Sequence, residues 1–184
     1  MGASMSNYVG GIRTRLISDN FYEMVRKSLA SLHWFDAGRN HSAIELARGE
    51  QDWSTPIPIN TLAISEVDIV GDDAEMGSNL TEDRWTAYVD FYAEDDSLGT
   101  HMAGDVRDIL RGKMGSIGRS AAILPVYDFT QVADIDNDPA PFLFNVEIEN
   151  VVQDRAHNQS RPWMEHWFSI RCDLVDTYGD EDYA

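Results

Sequence analysis

The sequence predicts an α+β domain, a twisted mixed or antiparallel sheet of about four to six strands with two main helices packed on one face. Two segments, 12–32 and the stretch after Asp95, repeat their apolar residues at helical spacing. Several others alternate polar and apolar residues with the period of a strand. The strand-like segments come in runs, which is the pattern of an α+β domain and not of a parallel α/β sheet. At 184 residues the chain has the size of one domain with its own core. Its expected division is a mobile leader at 1–11, an α+β core at 12–175 and an acidic C-terminal tail at 176–184.

In the first helix, Leu16, Ile17, Phe21, Met24 and Leu32 share one broad face, and Glu23 and Lys27 are spaced as an i,i+4 pair. HWFDAGRNHS reads as a turn, with Gly38 ending the helix, and 49–58, ending in T-P-I-P, reads as extended. A strand follows at about 59–69, then a long acidic loop over 71–83. Residues 85–92 alternate clearly, with Trp85, Ala87, Val89 and Phe91 on one face.

The second helix starts before Gly99, with Asp96 or Ser97 as its N-cap. Projected at 100° per residue, Leu98, Gly99, Met102, Ala103, Val106, Ile109 and Leu110 fall on the buried side. Gly99 then sits in the packing seam, and Gly104 falls on the open side with Thr100, His101, Asp108 and Arg111. AAILPVYDF reads as the next strand and DIDNDPAP as an acidic, proline-rich loop.

Two final strands close the domain. Phe142, Phe144, Val146 and Ile148 alternate with polar residues in one; Met164, His166, Phe168, Ile170, Cys172 and Leu174 do so in the other. The loop-like QDRAHNQSRP between them predicts an antiparallel hairpin. The expected register sets Glu147 opposite Arg171, and His166 is expected as a hydrogen-bonded core residue. The order is thus one helix, two strands, a helix and three strands.

Charge narrows the function. Residues 1–50 carry six Lys/Arg and five Asp/Glu, a net of +1; residues 51–184 carry eight and 27, a net of −19. Their sum of −18 repels phosphate backbones and argues against sequence-specific nucleic-acid binding. The glycine spacing of Gly99 and Gly104 fits a P-loop, but Asp105 and Val106 stand where Lys and Ser/Thr are required. Asp134-x-Asp136-x-Asp138 resembles the start of a calcium loop, then has Pro139 where glycine and Asn145 where glutamate is needed. The five histidines fit no metal-binding pattern, and Cys172 lies on a core-facing position. No catalytic, cofactor or metal residues are assigned, and the expectation is that the protein is not an enzyme.

"TRLISDNFYEMVRKSLASLHWFDAGRNH", "RWTAYVDFYAEDDSLGTHMAGDVRDILRGKMGSIGR" and "FLFNVEIENVVQDR…WMEHWFSIRCDLVD" resemble tail terminator proteins of long-tailed phages, especially those of actinobacteria. The resemblance covers about residues 12–175. It implies a structural virion protein at the head–tail junction, assembled in the bacterial cytoplasm as a homohexameric ring without a cofactor. Its implied partners are itself, the tail tube protein and a neck connector, with genomic DNA only passing through the lumen and no membrane. The candidate subunit interface is His101, Gly104, Asp108 and Arg111, with Asp95 and Asp96 at the same helix's start. The loops 49–58, 71–83 and 131–141 are candidates for axial contacts. The near alternative is a neck or head-completion connector. The distant one is a cytosolic enzyme or small-ligand binder, which needs a polar-lined pocket with perturbed carboxylates.

Overall fold

The structure is a computed structural model, and it describes residues 11–31, 45–49, 60–73, 80–112, 123–156 and 166–179. The leader, the Gly38 turn, most of 49–58, the body of the 157–165 connector, Leu32 and Met164 lie outside the described residues. The elements run α1 (Gly11–Ser31), β1 (Glu45–Arg48), β2 (Thr61–Asp73), β3 (Leu80–Tyr92), α2 (Asp96–Leu110), β4 (Ile123–Tyr127), β5 (Phe142–Ala156) and β6 (Trp167–Gly179). They form one six-stranded sheet in the order β1-β2-β3-β6-β5-β4. Only β1 and β2 run parallel; the other pairs are antiparallel. The fold is α+β with two helices on a mixed sheet, as expected. The β5–β6 hairpin is also present.

Helix α1 buries Leu16, Ile17, Phe21, Val25 and Leu29, each at most 5% exposed. The four-residue repeat from Phe21 to Val25 to Leu29 carries the face, so Met24 is only partly buried. Both helices feed one core with Leu62 and Ile64 of β2, Trp85 to Phe91 of β3, Val146 of β5 and Phe168 to Leu174 of β6. Burying each of the larger side chains contributes about 2 kcal/mol. On the sheet's other face Ala63 and Tyr92 form a small second cluster, with Trp167 stacked on Tyr92 at 6.2 Å.

Two buried asparagines tie elements together. Asn20 of α1 accepts from the Tyr127 amide at 2.9 Å and donates to its carbonyl at 2.8 Å, so the helix satisfies backbone groups of edge strand β4. Pro125 is tolerated in β4 because this strand is an edge. Asn60, at φ 62°, donates its amide to Tyr92 O and accepts from the amides of Glu45 and Glu94, joining β1, β2 and the end of β3.

Several expectations are corrected. Three strands precede α2, because β1 is a four-residue parallel edge too short to show alternation. Most of the supposed acidic loop at 71–83 is ladder: β2 pairs with β3 out to Asp73↔Thr81, while β3 also pairs with β6 from Leu80↔Gly179. Pairing on both sides of β3 outweighs the poor strand propensity of that acidic stretch. Glu23 pairs with Arg26 at 2.7 Å instead of Lys27, which donates to Ile135 O. Phe142 is 55% exposed, at the start of β5 beyond the core.

The supposed tail is the largest correction. Asp176 is fully buried inside β6, where Arg13 of α1 clamps both its oxygens with one guanidinium edge, Nε on Oδ2 and Nη2 on Oδ1 at 2.7 Å. β5 pairs with β6 only from Glu147↔Val175 onward. Where the two strands part, the Arg13 guanidinium lies 3.6 Å from the Phe144 ring centroid and 4.9 Å from that of Tyr178.

Candidate subunit interface

Helix α2 presents the predicted residues. Its N-cap is Asp95, one residue earlier than expected, because the Asp95 carboxylate accepts from Leu98 N at 2.8 Å. Gly99, Met102, Ala103, Val106, Ile109 and Leu110 are buried, with Leu98 packed beside them. A Cβ on Gly99 would lie 1.9 Å from the Phe168 ring, so the seam requires glycine. A Cβ on Gly104 would meet nothing within 4 Å.

The outer side of α2 brings His101, Gly104 and Asp108 together. The His101 side chain is 66% exposed and 4.0 Å from Asp105, and Asp108 lies 3.6 Å from Arg107 Nε. The other three predicted residues serve the fold itself. Asp95 caps the helix, and Asp96 meets His166 Nδ1 at 2.9 Å. His166 is therefore a surface residue, about one third exposed, because β6 begins only at Trp167 and the histidine falls beyond the core. Arg111, at the end of α2, reaches across to donate to Val151 O of β5 at 2.8 Å.

That contact marks a surface that sequence reasoning missed. β5 bulges against β6 between Glu149 and Val152, where Asn150 adopts φ 49°. Asparagine tolerates this left-handed conformation better than most residues, and its Nδ2 also donates to Asp173 at 2.8 Å. β5 runs on through 153–156, expected as loop, to pair Ala156 with Trp167, so Glu147 faces Val175 and Arg171 faces Val152, not each other. The bulge itself moves the pairing by one residue. Around the bulge, Arg111, Ile148, Asn150, Val151, Val152, Arg171 and Asp173 line an open groove of about 680 Å³. The only sequence signal was the break in alternation after Ile148, where Val151 and Val152 are adjacent.

Electrostatics are local elsewhere. Arg84 lies 3.0 Å from Glu82 and 3.4 Å from both Glu149 and Asp173, and its hydrogen bond to Glu82 leads the effects that raise its pKa. In the acidic loop, Asp138 accepts from the amides of Ala133 and Asp134. Asp134 accepts from the Asn137 side chain and the Asp136 amide, which hold its carboxyl below the usual range. Asp136 turns instead to Arg26 at 2.7 Å. These acids thus serve turn and helix contacts, and no described group of three or more His, Cys, Asp or Glu residues is placed to hold a metal. Burial pushes the Cys172 thiol up to about 12.

These surfaces belong to an open-sheet α+β protein whose polar groups mostly serve its own architecture. No protein-family model matches the chain, and no curated protein matches it.

Proposed function

We propose that the chain is a structural virion protein, the subunit of a six-membered ring that caps the head-proximal end of a phage tail tube. The ring stops further tube polymerisation and joins the tail to the neck under the capsid. The resemblance of the three quoted segments motivates this reading. The observation that carries it is the open sheet with two unlike edges, short parallel β1 and proline-bearing β4. Unlike edges, together with the open stripe of His101, Gly104 and Asp108 on α2, favour a heterologous contact repeated by rotation, which closes into a ring. The tube protein and neck connector are the axial partners in this reading. The net charge of −18 suits a channel through which DNA passes without being retained.

Electron microscopy of particles assembled without the protein tests it. Tails of uncontrolled length, detached from heads, are the expected result. Tails of normal length joined to heads would end the proposal. Normal-length tails that merely fail to join would move the assignment to a neck connector.

A further inference from the structure

Arg111 and Arg171 differ from the other arginines whose side chains are described. Arg13, Arg15, Arg26, Arg48, Arg84 and Arg107 each stand within ion-pair distance of a carboxylate. Among the described residues, neither Arg111 nor Arg171 has such a partner; Arg111 donates to a backbone carbonyl. Both are exposed, and both line the groove at the β5 bulge. Its apolar wall is Ile148, Val151 and the 39%-exposed Val152. The acid in the wall, Asp173, is already engaged by Asn150 and Arg84. In a chain with 32 acidic and 14 basic residues, two unpaired guanidiniums beside valines form a site for an acidic segment that also carries an apolar group.

We propose that this groove receives residues 180–184 of a second copy of the chain. Asp180, Glu181 and Asp182 supply carboxylates for Arg111 and Arg171, and Tyr183 lies on the valine wall. The contact is made between copies because within one, even a chain doubled fully back along β6 leaves Asp180 and Glu181 short of Arg171. Arg171 and Gly179 are 179 − 171 = 8 residues apart on β6, about 26 Å at the rise of a strand. Asp182 is three residues past Gly179, at most about 11 Å away. The tail of one copy in the groove of the next is a head-to-tail contact of the type that closes rings. It rests on the self-association in the proposed function, and adds the surfaces that make it. Nucleic acid is the weaker occupant, since the surrounding charge is strongly negative and the wall is apolar.

Sedimentation velocity of the full chain across concentration, at low and high salt, tests the contact. The variants are Arg171→Glu alone, the set D180K/E181K/D182K, and the two combined, with circular dichroism to confirm that each is folded. Arg171→Glu stands alone because Arg111 also braces β5. The wild type is expected to self-associate at low salt and to weaken as salt rises. Either change weakens association about tenfold or more, and the combined variant associates more tightly than the lysine set alone, because the glutamate introduced by Arg171→Glu then faces lysines while Arg111 is unchanged. Association indifferent to both changes overturns this contact while leaving a ring built elsewhere. A chain that stays monomeric at all concentrations also overturns it, and the particle assay then decides the tail reading separately. Duplex DNA binding that Arg171→Glu abolishes, with self-association untouched, reassigns the groove and overturns the proposal.

Discussion

Two glycines five residues apart on α2 do opposite things, and substitution separates them. Gly99→Ala places a methyl 1.9 Å from the ring of Phe168, which is itself buried and cannot swing aside. The expected cost is about 3 kcal/mol, larger than the helix-propensity gain of about 1 kcal/mol. Gly104→Ala adds a methyl to open space in a helix interior and should stabilise the isolated chain by about 0.5–1 kcal/mol. Urea titrations of the two variants check both signs. In the proposed ring, a stabilised Gly104→Ala that no longer self-associates would mean that another subunit approaches this helix closely. Both positions were legible in the sequence, because a long helix has a fixed period and its buried face follows from arithmetic. The ends were less legible: Asp95, Asp96 and Ser97 are all good caps, and only the hydrogen bond to Leu98 N selects Asp95.

Between elements, the length of β5 sets the register of the closing hairpin, and the bulge adds one residue to it. Alternation alone paired Glu147 with Arg171, four residues from its partner Val175; an even slip keeps both core faces, and only the extension of β5 to Ala156↔Trp167 fixes the register. The core side was still read correctly from Phe144 to Ile148 and from Phe168 to Leu174, since the first three precede the bulge and the others lie on the unbulged partner, while Phe142 and His166 fall beyond the core. What lies beyond, the groove with Arg111 and Arg171, required knowing where the insertion falls. Asn150 holds it, through its positive φ and its bond to Asp173. Asn150→Val cannot take that conformation without strain and should cost about 2 kcal/mol; Asn150→Gly keeps the backbone and should cost less than half as much. Thermal melts rank the two. If the valine variant is as stable as the glycine one, the left-handed residue is not what holds the bulge.

On the scale of the whole molecule, α1 and β6 are locked by residues 163 positions apart in sequence. The acidic run DTYGDEDYA looked like a frayed tail because composition is local, and the partner that orders its first part lies in the first helix. Removing 180–184 should leave the melting temperature of the monomer unchanged. Ending the chain after Val175 should abolish cooperative unfolding, because it deletes Asp176 together with Tyr178, whose hydroxyl donates to Asp83 at 2.9 Å, and the end of the β3–β6 ladder. Point changes isolate the ion pair from the strand. Asp176→Asn leaves the Arg13 guanidinium buried without its charge partner and should cost about 3–5 kcal/mol, roughly 10 °C in melting temperature at this chain length. The paired replacement R13M/D176L removes both charges at once and should recover much of that loss, since it leaves no uncompensated ion between the Phe144 and Tyr178 rings. An Asp176→Asn protein that melts with the wild type would mean that the strand ladder, and not this pair, holds α1 to the far end of the sheet.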